Sequence, residues 1–134
     1  MDISNVNLAA VAVAALASFL VGGLWYSKAL FGNVWMRESG VTEEKIKQRS
    51  MLMIFSTTFL LALVIAFNLA AFLAGPPNLL RGLTTGGLVG LGWVAASMGI
   101  TYLFEMRSAN LFFINAGYHV VTFIIMGAIL GIWK

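Results

Sequence analysis

The chain of 134 residues has no cysteine, one histidine, two prolines and only five acidic side chains. Without cysteine there is no disulfide framework, thiolate metal site or cysteine nucleophile, and one imidazole per chain cannot supply the usual zinc ligand set. Charge is scarce as well. Charged residues make up 10% of the sequence, where a soluble domain carries about 25%. That is too few to solvate a globule of this size, so solubility without lipid or detergent is excluded. The net charge of +3 does not point to nucleic acid, because no basic run lies outside a single loop beside apolar segments. G-x-S-x-G, a phosphate-cradling glycine loop and H-E-x-x-H are all missing, which removes hydrolase, nucleotide-binding and zincin readings. No metal or cofactor is expected.

What is abundant is apolar surface, at 60% of residues. A span of the hydrocarbon needs roughly 20 mainly apolar residues, and four segments qualify, at about 7–31, 51–74, 80–104 and 109–133. The expected fold is all-α: a polytopic membrane protein formed by one domain over 1–134, with four transmembrane helices in two antiparallel hairpins. The N-terminus carries Asp2 and no Lys or Arg, so the first segment lacks the basic start of a cleaved signal and is expected to be retained.

Between the first two spans, residues 32–50 form an amphipathic loop expected to lie along the interface. Thr42 before Glu43 and Glu44, with Lys45, Lys47 and Arg49 following, has the pattern of a capped helix that could run unbroken into the second span. Gly75-Pro76-Pro77-Asn78 closes the second span, since consecutive prolines remove donors and restrict the preceding residue. So short a turn predicts that spans two and three form an antiparallel hairpin. Glu105-Met106-Arg107-Ser108 makes the next turn, with Ser108 the N-cap of the last helix. Lys28, Arg37, Lys45, Lys47, Arg49 and Arg107 fall on one side of such a chain, and only Arg81 and Lys134 on the other. The positive-inside rule then puts the 32–50 loop in the cytoplasm and both termini outside a multi-pass protein of the cell membrane.

Two patterns stand out within the spans. Gly82, Gly86 and Gly90 recur every four residues, echoed by Gly127 and Gly131. In lipid such faces mediate close helix contact, within the chain or between subunits. They predict a homo-oligomer, in the simplest case a dimer. The second pattern is a polar stripe, Asn115, Tyr118, His119 and Thr122, at i, i+3, i+4 and i+7. His119 lies ~3 Å and Asn115 ~9 Å from the midplane of that span. Polar groups at that depth must face protein or enclosed water. Trp25, Tyr26, Thr58 and Tyr102 fall at similar depth, so a shared ligand-binding pocket is geometrically possible. Gly23-Leu24-Trp25-Tyr26 and Gly99-Ile100-Thr101-Tyr102 stand at matching ends of spans one and three, an echo too short to define a repeat.

For His119 three roles stay open, in this order: a neutral imidazole hydrogen-bonded to a neighbouring helix, a proton-accepting or ligand-contacting group, and a haem ligand. Trp25 and Lys28 also fit interfacial anchors.

The run Gly23-Leu24-Trp25-Tyr26-Ser27, then Leu30-Phe31-Gly32 with Trp35-Met36 and Gly40, together with Asn115-Ala116-Gly117-Tyr118-His119, resembles the four-helix bacterial membrane proteins grouped as the domain of unknown function 1761 family. The similarity covers the whole chain, with Lys28 in place of a proline. It implies a small polytopic bacterial inner-membrane domain and no established activity. Two functional readings follow. One is an oligomeric small-solute permease or ligand-binding protein with an intramembrane pocket; the other is a non-transporting structural or accessory protein whose polar residues fix helix packing. The small multidrug transporters of similar size rely on a glutamate in the first span, and this chain has none there. No acid, base and nucleophile set can be assembled, which disfavours an enzyme. The partners expected are the bilayer, a second copy and an unidentified small molecule.

Overall fold

A computed structural model describes residues 2–134. Its helices are α1 (Leu8–Trp25), α2 (Gly32–Ser39), α3 (Glu43–Lys47), α4 (Met51–Phe72), α5 (Leu79–Leu88), a π-helical stretch (Val89–Ala95), α6 (Ala96–Phe104) and α7 (Ala109–Ile132). Four continuous segments, Leu8–Trp25, Met51–Phe72, Leu79–Phe104 and Ala109–Ile132, are long and apolar enough to cross a membrane, with mean hydropathy from 1.5 to 2.2. The protein is an all-helical, multi-pass membrane protein.

Each span begins where a polar side chain takes up amides that the first helical turn leaves without partners. Asn7 Oδ1 accepts from Ala9 and Ala10 at 3.0 and 3.1 Å. Ser50 caps α4 through Met53 N–H, Asn78 caps α5 through Arg81 N–H, and Ser108 caps α7 through Leu111 N–H.

α7 lies at the centre and touches α1, α4, α2 and the whole third span. The first hairpin pairs α1 with α4 through small side chains: Ala10, Ala14, Ala62 and Ala66 are buried. Towards the chain termini this contact widens into a core of Leu69, Leu73, Met126 and Leu130. The second hairpin pairs the third span with α7, and here main chain meets main chain. A methyl group added to Gly82 would collide with the Gly127 carbonyl, one on Gly86 with the Phe123 carbonyl, and one on Gly131 would stand 2.8 Å from Asn78 O. Asn78 N–H donates to Gly131 O at 2.7 Å and fixes where α5 starts.

That docking explains why the 75–78 turn joins spans two and three without packing them together. α5 is drawn to the glycine face of α7, and the second and third spans meet chiefly where Phe72 and Trp93 pack edge to face with ring centroids 5.9 Å apart. Between them runs a flank groove of about 310 Å³, walled by Val64, Asn68 and Phe72 on one side and Val89 and Trp93 on the other, with Phe123 at its base.

Two boundaries differ from the sequence reading. α1 stops at Trp25 instead of running to residue 31, because the chain turns back: Phe31 N–H donates to Trp25 O and Gly32 N–H to Ser27 O. Only glycine fits at 32, where a Cβ would stand 2.8 Å from Ser27 O. Thr42 does cap a helix, but α3 ends at Lys47 and a separate cap at Ser50 opens α4. The loop therefore does not continue unbroken into the second span.

The π-helical stretch resets the face of the third span. Gly82, Gly86 and Gly90 turn towards α7 at intervals of four, and the next buried residue is Ala95, five further on. The wide turn of a π-helix absorbs one extra residue. Downstream of it Gly99 lies against Phe112 and Tyr102 reaches α7, while Ser97 and Thr101 are left exposed.

Candidate functional site

The end of the bundle that carries the 26–50 segment holds a cluster of polar side chains from three spans. Tyr26, just past the end of α1, donates its hydroxyl to Asn115 Oδ1 at 2.7 Å. Asn115 Nδ2 donates to the Tyr102 hydroxyl at 2.8 Å. One carboxamide on α7 thus ties α1 to α6, using its acceptor on one side and a donor on the other. The two tyrosines are the last residues of the short echo between spans one and three, and they meet the same asparagine from opposite sides.

A second layer supports this bridge. Trp25 Nε1–H donates to Ile114 O at 2.9 Å, and its ring covers Gly117, where a Cβ would stand 3.0 Å away. The Tyr118 hydroxyl donates to Ser18 O at 3.2 Å, with its ring over Gly22. Tyr26 stacks between Tyr118 and Trp35, at centroid distances of 5.3 and 5.4 Å, so α2 rests on the cluster. The Glu38 carboxylate completes the docking of α2, accepting from the Ser108 hydroxyl at 2.6 Å and from Asn110 Nδ2 at 3.3 Å. These hydrogen bonds to the charged form hold the Glu38 carboxyl below its usual range.

Three of the sequence candidates stand apart. Thr58 is exposed on α4 and returns its hydroxyl to Ile54 O at 2.7 Å, so it joins no shared pocket. His119 stacks beside Tyr118 but makes no hydrogen bond to any described residue, so the expected bond to a neighbouring helix is not formed. Asn115 lies nearer the loop end of α7, and His119, one turn further along, is bonded to none of the three tyrosine hydroxyls. Thr122 is 5% exposed, and its hydroxyl has no partner among the described residues. Gly82, Gly86, Gly90, Gly127 and Gly131 all lie in the contact between the third span and α7.

A model of one family matches residues 9–131, which takes in the Trp25-Tyr26-Ser27 turn, the π-helical stretch and the whole polar stripe; it is described as "Protein of unknown function (DUF1761)". The chain belongs to the DUF1761 family. No curated protein and no solved structure matches it. In this DUF1761 chain some of the motif residues that carry the resemblance help to make the clamp: Trp25 and Tyr26 from the first motif, Asn115, Gly117 and Tyr118 from the second.

Sequence reasoning missed Ser18 and Glu38. Ser18 contributes a backbone carbonyl, which no side-chain pattern marks. Glu38 left no local signal, since a carboxylate in a loop of both charge signs needs no particular partner, and its distance in sequence from Ser108 hid the one it has.

At the opposite end, Asp2, Asn5, Trp133 and Lys134 line a cavity of about 380 Å³ beside Gly75. Lys134 Nζ donates to Leu73 O at 2.6 Å, and burial together with the neighbouring Arg81 holds its ammonium below the usual range. None of the clamp residues lines this cavity or the flank groove.

Proposed function

We propose that this protein is a non-transporting accessory protein of the membrane, a small rigid platform that presents its 26–50 segment at one face of the bilayer. The observation that carries the reading is the Asn115 bridge. Its carboxamide is engaged by Tyr26 and Tyr102, and the surrounding indole and phenol groups are likewise bonded to the protein, which leaves little there to bind a solute. The clamp fixes α1, α6 and α7, and α2 is seated directly on it through Trp35 and Glu38. The excess of Lys and Arg around that segment supports placing it in the cytoplasm, with both termini outside.

Asn115→Leu tests this in purified protein. It is expected to lower the thermal midpoint and to free α2, read as increased protease access at Arg37. Unchanged stability together with loss of binding of a small molecule would overturn it. Single cysteines on this cysteine-free background test the orientation. Position 45 should be protected and position 78 labelled from outside intact cells, and the reverse pattern would refute it.

A second reading, a small-solute binding protein or permease, is favoured by one observation. The His119 imidazole and the buried Thr122 hydroxyl, three residues apart near the middle of α7, are both without hydrogen bonds to described residues. His119→Phe discriminates between the two. On the accessory reading it leaves stability and loop docking unchanged, and on the solute reading it abolishes binding or flux in proteoliposomes.

A further inference from the structure

Asn68 is exposed on the outward face of α4, four residues before the helix ends at Phe72. α4 is about 33 Å long against ~30 Å of hydrocarbon, which leaves Asn68 roughly 10 Å from the midplane, inside the apolar layer. Its amide makes one hydrogen bond, from Nδ2 to Val64 O at 2.8 Å within its own helix. The carbonyl oxygen and the second N–H have no partner among the described residues. A half-satisfied carboxamide in hydrocarbon is unfavourable, and acyl chains offer it neither donor nor acceptor.

The surface around it is shaped for contact. Thr57, Leu61, Val64, Asn68 and Phe72 follow one another at intervals of four, three, four and four, the spacing of a helix face, and all are exposed. Leu61 is 60% and Val64 59% exposed. Beside this face lies the 310 Å³ groove whose far wall is Val89 and Trp93, a recess open to side chains from outside. The glycine stripes that suggested an oligomer from sequence face each other inside the chain, so they leave no surface for a second copy.

We propose that a second copy of this chain docks on the outward face of α4, with the two Asn68 carboxamides bonded across a twofold axis along the membrane normal. Copies inserted in the same orientation bring position 68 of each to the same depth. A carboxamide carries both a donor and an acceptor, so it is its own complement. An interface symmetric about the axis uses the same patch on both partners. Residues of the partner's α4 then fill the groove beside Trp93.

Disulfide trapping in proteoliposomes tests the proposal, because the native chain has no cysteine to interfere. Leu61→Cys and Val64→Cys should each give a cross-linked dimer on mild oxidation. Leu20→Cys, equally lipid-facing on α1 at 78% exposure, serves as the collision control. Adding Asn68→Leu to the Val64→Cys chain should reduce cross-linking about tenfold, and Asn68→Gln should restore it, as expected for an interhelical amide pair. Cross-linking at 61 and 64 no greater than at 20 would overturn the proposal. So would equal cross-linking with Asn or Leu at 68, or a protein that is only monomeric with bound lipid by native mass measurement.

Discussion

The two hairpins solve the same problem, holding helices together where no water presses them, in different ways. In the second, the third span and α7 approach until backbone touches backbone, and glycine carbonyls and α-carbons are the contact surface. In the first, α1 and α4 meet through alanines along one narrow line, with Phe19 of α1 against Phe55 and Phe59 of α4 nearer the loop, and the first turn of α4 is left bare, with Leu52 82% and Met53 69% exposed. Close approach yields many weak contacts at the cost of any tolerance for size. The alanine seam is looser and leaves most of α4 available to lipid or another protein.

The contrast breaks most sharply at Gly86. Replacing it with Leu must drive α5 off the main chain at Phe123 and Ile124, so a loss of about 3 kcal/mol, the upper part of the range for overpacking, is expected in a reversible unfolding assay. Val64→Leu on the outward face of α4 should leave the unfolding midpoint of the monomer within experimental scatter. Equal effects at the two sites would mean that the hairpins are held alike. Asn115→Leu comes next. It removes two interhelical hydrogen bonds and leaves two phenols without partners, for a loss of about 1–2 kcal/mol given that each such bond averages ~0.6. Tyr26→Phe removes one of the two and should cost roughly half as much. A Tyr26→Phe protein as unstable as Asn115→Leu would show that the Tyr102 side contributes nothing.

Gly87 sharpens the comparison from within the second hairpin. A Cβ there would meet only Ile124 Cγ1 at an ordinary 3.8 Å, so Gly87→Ala should be neutral or stabilising by up to about 1 kcal/mol, glycine being the poorer helix former. Destabilisation comparable to Gly86→Leu would show that the whole span, and not one face, is closely packed. The smallest effect expected is at Glu38. Its carboxyl is held below the usual range in the folded state, so its contribution is complete above the unfolded carboxylate value of about 4.3 and is lost as pH falls through the lower folded value. Thermal midpoints measured from neutral pH down to strongly acidic conditions should fall more for the native chain than for Glu38→Gln. Parallel curves would show that α2 does not depend on that carboxylate.

Hydropathy located the four spans because lipid imposes a length and an apolar composition that few other environments demand. Thr42 and Ser108 were also legible as caps, since the requirement they meet is local. The glycine periodicity showed that a close contact exists, but not whether its partner lay in the same chain. The partners of individual side chains were harder still. That Asn115 needs company at its depth follows from its chemistry, but which of Tyr102, Thr101 and Ser97 provides it depends on the rotation of the third span. One widened turn, with no marked sequence signal, changes that rotation. Thr58 shows the opposite failure, being at the right depth but on the wrong side of its helix.

The π-helical stretch also leaves the third span with one residue to spare. Its two ends are registered against α7 independently, by the glycines at one end and by Tyr102 at the other, and the number of residues between them exceeds by one what regular α-helix would use. Deleting Gly92 would let the turn relax to α-helix with both registrations kept, so Tyr102 should still reach Asn115. A Cβ on Gly92 would meet nothing within 4 Å, so no contact of the bundle depends on that residue. A second residue lost from the span would find no widened turn to absorb it, and would swing Tyr102 away from Asn115 by about 100° while every side chain of the clamp remained in the sequence.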